Sequence, residues 1–296
     1  MFRITPVYDL LLRGSSTTPV GLYHLHLATA EQLTRLHYKP GSINKVKARL
    51  KDLANNGFLQ ADGQPTKKGK GPYYYVLAQQ GLRYLEEAGY DTSETFRANR
   101  EGNKHALFVE HTLELNDVLI AASLLEHTAP CYRLESFIHE RALKRRPYKA
   151  VWKTESQQQT FTVIPDAFLD FRSLLPDGRQ RRMPLLLEHD RGTEEQQHFR
   201  RRIRAYLVFF KSGAYQQHFG VRTITVAFTT FTGIARLRQM IEWTRAELAA
   251  TNEPKTLGTI FSFTTLERPL EPRQIWLEQR WYTSYPEDGP VVLLAG

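Results

Sequence analysis

Between Thr29 and Ala88 the order of apolar stripes, capping residues and breakers admits few small folds. Thr29-Ala-Glu-Gln-Leu-Thr-Arg-Leu-His opens on a capping residue and sets Leu33 and Leu36 three apart, which predicts a short helix. Tyr38-Lys-Pro-Gly-Ser ends it, because Pro40 cannot continue a helix and Gly41 permits a tight reversal. A second helix is expected from a Ser42 cap to about Asn56, with Ile43, Val46, Leu50 and Leu53 as its apolar stripe. Asn56-Gly57 is its stop, since glycine takes the left-handed conformation cheaply. Phe58-Leu-Gln and Tyr73-Tyr-Tyr-Val-Leu read as two strands joined by a Gly- and Lys-rich stretch, a hairpin with a basic tip. At least one of the three tyrosines belongs to a core, because alternate residues of a strand face opposite sides. Ala78 to Ala88 returns to helix, with Leu82 and Leu85 inward.

Charge singles out the same segment. The 296-residue chain carries 40 Lys and Arg against 31 Asp and Glu, and a net charge of +9 alone is compatible with mere solubility. Residues 35–70, however, hold nine Lys and Arg against only Asp52 and Asp62. Lys45, Lys47, Arg49 and Lys51 surround the second helix, with Ser42 and Asn44 at its start, while Lys67, Lys68 and Lys70 fall on the hairpin tip. Cations placed this way displace counterions from nucleic-acid phosphates. A membrane surface suits the pattern less well, for no strongly amphipathic helix with an exposed aromatic face accompanies it. No run approaches the ~20 apolar residues of a membrane span, and the start lacks an apolar leader, so a cytoplasmic location is expected. One cysteine, Cys131, excludes an internal disulfide and a multi-cysteine zinc site, and is expected to be buried.

Helix, turn, helix and basic hairpin, over residues 20–90, resemble the winged helix-turn-helix family. That resemblance implies double-stranded DNA as the partner, with Ser42, Asn44, Lys45, Lys47, Arg49 and Lys51 in the major groove. Lys67, Lys68 and Lys70 would reach phosphates or the minor groove.

Residues 91–104 are polar and read as a linker, giving expected domains 1–98 and 99–296. A long helix follows from His105 to Glu126, then a strand at Tyr132–His139 and a second at Phe161–Arg172, broken at Pro165. Met183–Asp190 is a third strand, apolar until it ends in charge. Glu194–Lys211 reads as helix, Val221–Thr229 as strand, Gly233–Ala250 as helix, and the tail from Thr259 as edge strands. The expected fold class is α/β: a mixed sheet flanked by helices. Strand geometry puts Glu188 and Asp190 on one side, and hairpin pairing brings Asp166 alongside. Three converging carboxylates suit Mg²⁺ or Mn²⁺, which polarises a phosphodiester and activates a water. The alternative is structural: Asp166 bonding a turn, and Glu188 pairing with Arg191 or Arg204. An arginine inserted among the carboxylates would favour that alternative. The ten histidines lack ligand-spaced partners, and no phosphate loop of the Walker type is present.

Pro165-Asp166 and Glu188-His189-Asp190 resemble the restriction-endonuclease-like PD-(D/E)xK superfamily, which implies a metal-dependent nuclease site at Asp166, Glu188 and Asp190. Asp190 stands where that superfamily's lysine usually stands. Its positive charge is then expected from the next helix, at Arg202, Arg204 or Lys211, with Arg204 counted in the catalytic set. Glu110 or Glu114 would be an extra acid. The whole arrangement, with Ile-Pro-Asp-Ala-Phe-Leu-Asp and Leu-Leu-Leu-Glu-His-Asp-Arg-Gly-Thr-Glu ahead of an Arg-rich helix, resembles the replication-relaxation family over residues 20–230. This implies plasmid replication and DNA relaxation in bacterial mobile elements, replication or mobilisation proteins as partners, and a homodimer as one possible assembly. A non-catalytic regulator, whose second domain clasps DNA, dimerises or docks a partner, stays open beside it.

Overall fold

Thr29 starts its helix through a reciprocal cap: its hydroxyl accepts the Gln32 N–H while the Gln32 side chain accepts the Thr29 N–H. This occurs in a computed structural model that describes residues 5–6, 17–66, 69–90, 92, 106–153 and 158–295. Two compact units divide the chain, Met1–Leu124 and Leu125–Gly296.

In the first unit the order is α1 (Thr17–Leu25), β1 (Ala28–Thr29), α2 (Ala30–His37), α3 (Ile43–Asn55), β2 (Leu59–Thr66), β3 (Gly69–Leu77), α4 (Gln79–Glu87) and α5 (Ala106–Ser123). The strands form an antiparallel sheet in the order β1-β3-β2, with Ala28 opposite Tyr75 and Leu59 opposite Leu77. Val46 and Leu50 are buried, each contributing about 1.5–3 kcal/mol relative to exposure, and they orient α3. Gly57 stops α3 at φ 73°, but Ser42 makes no side-chain cap, contrary to the expectation from sequence. Tyr74 and Tyr75 are buried while Tyr73 is 56% exposed. Helix α5 is tied in by Asn116, which donates to the Leu25 and Leu27 carbonyls at 3.0 and 2.7 Å. Gln32 donates in turn to Leu113 O and Asp117 Oδ1 at 2.7 and 2.9 Å.

The second unit runs α6 (Leu125–Thr128), β4 (Tyr132–His139), α7 (Glu140–Arg145), β5 (Tyr148–Lys153), β6 (Gln158–Val163), β7 (Ala167–Leu174), β8 (Gln180–His189), α8 (Gln196–Lys211), α9 (Ala214–Phe219), β9 (Thr225–Thr230), α10 (Ile234–Ala250), α11 (Lys255–Gly258), β10 (Phe261–Thr265), α12 (Pro272–Leu277) and β11 (Tyr282–Thr283). Six of its strands form a mixed sheet in the order β4-β7-β8-β9-β10-β11. β4, β7 and β8 make an antiparallel meander, β8, β9 and β10 are parallel, and β11 returns antiparallel. Each parallel step is spanned by helices, as parallel neighbours require. Leu185, Leu186, Leu187, Val226, Ala227 and Phe228 are buried in the centre of this sheet.

Three sequence expectations are corrected in this unit. The expected strand 161–172 is two strands in two sheets: β6 pairs with β5 in a separate ribbon, and β7 belongs to the main sheet. Pro165, which has no N–H to donate, separates them. β10 lies between β9 and β11 rather than at an edge. Cys131 is exposed.

Candidate functional site

The ladder between β7 and β8 carries the sequence's carboxylates to one end of the main sheet. Ala167 opposes Leu187, and just ahead of it Asp166 donates its N–H to the Leu187 carbonyl at 2.9 Å. Asp166 Oδ2 accepts the His189 N–H at 2.7 Å. Glu188 and His189 end β8 with side chains on opposite faces. His189 Nδ1 lies 3.0 Å from Thr229 Oγ1, while Glu188 meets α8. All three carboxylates are buried.

Two arginines close on them. Arg202 of α8 donates from Nη1 to Glu188 Oε2 at 2.8 Å, bonds Glu194 through Nη2, and brings Nη2 to 4.0 Å from Asp190. The Tyr206 hydroxyl donates to the other Glu188 oxygen. Arg236 of α10 grips Asp190 with two bonds, Nε to Oδ1 at 2.7 Å and Nη2 to Oδ2 at 2.9 Å, and Nη2 also reaches the Glu194 carbonyl. Asp190 Oδ1 further accepts the Gly192 N–H at 2.7 Å. Gly192 has φ 74°, where a side chain is strained, and a Cβ there would lie 3.0 Å from Thr232. The run Glu188-His-Asp-Arg-Gly-Thr-Glu194 is thus a loop clasped between α8 and α10.

The electrostatics follow from this burial. Burial lifts the Glu188 carboxyl to about 8; Arg202 opposes the shift, the Asp166 charge adds to it, and the Tyr206 hydrogen bond opposes it. Burial also penalises the Arg202 cation, but Glu188, Glu194 and Asp166 outweigh that and raise its pKa. For Asp190 burial pushes upward, yet the Arg236 bonds win and hold it below the usual aspartate range. A carboxyl raised in the fold stabilises it fully below its unfolded value, and that contribution is lost as pH rises through the folded value. The second unit is therefore expected to lose stability from about pH 4.5 to about pH 8 on account of Glu188. Thermal melts across that range should be flatter for Glu188→Gln, and an equally steep wild-type-like profile in the variant would contradict the assignment.

A divalent cation does not fit between Glu188 and Asp190. Mg²⁺ and Mn²⁺ bind carboxylate oxygens, and here both Glu188 oxygens and both Asp190 oxygens already accept hydrogen bonds from Arg202, Tyr206 and Arg236. Of the cations expected beside the trio, Arg202 is the one that arrives. Arg204 points to Glu247 on α10, Nε to Oε1 at 2.5 Å, and Lys211 pairs with Glu253 at 2.9 Å. Glu110 and Glu114 lie on α5 of the first unit. Sequence reasoning missed Arg236, whose partner is 46 residues away, and Glu140, which has a carboxylate oxygen within 4.8 Å of one of Asp166.

In the first unit, Asn44, Lys45, Lys47, Arg49 and Lys51 are exposed on α3, and Ser42 is half-buried at its start. Lys47 pairs with Glu31 at 3.0 Å. Among the described residues Lys45, Arg49 and Lys51 make no ion pair. Lys70 lies on β3, whereas Lys67 and Lys68 fall outside the described residues.

A family model described as replication-relaxation matches residues 21–225. The chain belongs to the replication-relaxation family. Comparisons with curated proteins and with solved structures found no match. In this family member the matched span runs from α1 to the first residue of β9 and takes in the clasped loop, Arg202 and Tyr206. Arg236, the partner of Asp190, lies beyond it. Among the described residues no helix is long and apolar enough to cross a membrane.

Proposed function

We propose that this replication-relaxation protein binds double-stranded DNA in the replication of plasmids or other mobile elements, through a winged helix-turn-helix made by α2, α3 and the β2–β3 hairpin. One observation carries the reading: Lys45, Arg49 and Lys51 are exposed and, among the described residues, without ion pairs, on a helix whose other side is anchored by Val46 and Leu50. Cations that stabilise nothing in the fold are available to phosphates and base edges. Replacing Lys67, Lys68 and Lys70 with alanine should weaken binding to all duplex sequences and lower the salt slope by about 1 per lost phosphate contact. An unchanged slope in a titration over salt would remove the hairpin from the interface.

For the second unit the reading is a restriction-endonuclease-like domain that clasps DNA or docks a partner without cutting. Support comes from the arginines seated among the carboxylates, Arg202 at Glu188 and Arg236 at Asp190; breaking the fully buried Arg236–Asp190 pair costs about 3–5 kcal/mol. The strand order also supports the likeness: an antiparallel meander, a helix, then a parallel strand, with Asp166 just ahead of β7 and Glu188 at the end of the neighbouring β8. That adjacency favours a second reading, Mg²⁺- or Mn²⁺-dependent nicking at Asp166 and Glu188. Supercoiled plasmid incubated with the protein and either metal is expected to stay intact. Nicking that disappears in Asp166→Ala and Glu188→Ala would put the second reading first.

A further inference from the structure

The β5–β6 ribbon and α8 enclose two cavities of about 390 and 320 Å³ that share Phe161 as a wall. The first is lined by Thr160, Arg201, Arg202 and Tyr206 among others, the second by Trp152, Gln159, Arg204 and Lys211 among others. Their lining residues include four Lys and Arg against two carboxylates, Glu188 and Glu253. Both carboxylates are paired, with Arg202 and Lys211. Arg201 is exposed and, among the described residues, makes no ion pair or hydrogen bond with its side chain.

The ribbon's packing is otherwise regular. Tyr148, Ala150, Phe161 and Val163 are buried, and Lys149, Val151, Thr160 and Thr162 are exposed. Trp152 departs from that economy: it sits opposite Gln159, is 37% exposed, and has Lys211 Nζ 4.6 Å from its ring centroid. Of the other tryptophans of this unit, Trp276 and Trp281 are fully buried, and the half-buried Trp243 packs against Phe199 and Arg236 inside the unit. A half-exposed tryptophan with a lysine at its ring, in a trough with an arginine that makes no ion pair among the described residues, suits an unpaired strand. Cations track the phosphates while the aromatic face accepts a base in any sequence. Bases within a duplex are already stacked and leave no face for the ring. Ten residues of α8, about 15 Å, separate Arg201 from Lys211, a span longer than one nucleotide.

We propose that the trough between β5–β6 and α8 binds single-stranded DNA, with phosphates at Arg201 and a base stacked on Trp152. The proposal rests on the DNA-binding reading and adds the strand form that the second unit takes. It is tested by fluorescence anisotropy of the full chain with a labelled oligothymidine and, separately, a labelled duplex of similar length. Trp152→Ala is expected to weaken oligothymidine binding about 5- to 100-fold and to leave duplex binding within about twofold. Trp152→Phe should keep most of the affinity, and Arg201→Ala should lower the single-strand salt slope by about 0.7. Wild-type oligothymidine affinity in both Trp152→Ala and Arg201→Ala, or an equal loss for the duplex, would overturn it. A protein that binds the duplex but no oligothymidine loses this inference alone. One that binds neither loses the DNA-binding reading as well.

Discussion

Replacing Lys45, Arg49 and Lys51 together with alanine is expected to lower duplex affinity by at least about 100-fold at physiological salt. A lost base contact of this type costs about 1–3 kcal/mol, and each lost phosphate contact flattens the salt dependence by about 1. Stability should barely move, because exposed side chains without ion pairs contribute within about 0.5 kcal/mol. Lys47→Ala is the internal comparison. Its ammonium is already engaged by Glu31, so its loss should cost less than that of any of the other three. Anisotropy titrations with thermal melts of the same variants separate the two quantities. A triple variant that binds as wild type does would move the interface off α3.

The second large effect is on stability. Arg236 and Asp190 are both nearly inaccessible and joined by two hydrogen bonds. Arg236→Ala leaves a buried carboxylate without its main partner, with only the Gly192 N–H and the more distant Arg202 beside it, at a cost of about 3–5 kcal/mol. For a unit of this size that is a fall in Tm of roughly 6–20 °C in the second unit's transition. Replacing both residues by leucine should recover much of the loss, since the charge is removed with its partner. The pH response runs opposite to that of Glu188. Asp190 is held below its ordinary value near 3.8, so its contribution is in place above that value and is lost as pH falls through the lower folded value. A melt of Arg236→Ala indistinguishable from wild type would show that the clasp contributes nothing to the fold.

What the sequence revealed and what it concealed have physical reasons. Thr29 and Gln32 announce a helix start because both partners of the cap lie within one turn. The spacing of Val46 and Leu50 shows which side of α3 faces inward, and the charges on the other side need no further information. Strand β4, Tyr132–His139, and the core of β8 were legible from apolar runs bounded by charge or turns. The ribbon strand Tyr148–Lys153 was not. It follows Lys144-Arg-Arg-Pro, which reads as a basic loop, and only its pairing with β6 makes the alternation of Tyr148, Lys149 and Ala150 meaningful. Ser42 looks like a cap by type, yet its ψ of 0° is not the extended backbone that caps normally adopt, and its side chain makes no cap bond. Of the candidate site, the carboxylates were visible as a motif on strand ends. Sequence put Arg204 in the catalytic set rather than Arg202, because Arg200, Arg201, Arg202 and Arg204 are chemically alike in sequence. Only the helical phase of α8 turns Arg202 to Glu188 and Arg204 to Glu247.

Duplex binding by the full chain, titrated across a series of salt concentrations, tests the central claim most directly. Log affinity is expected to fall linearly with log salt, with a slope of about −0.9 for each phosphate neutralised, and the slope to flatten when α3 is stripped of Lys45, Arg49 and Lys51. Absence of duplex binding at low salt, or an affinity indifferent to salt, would contradict it.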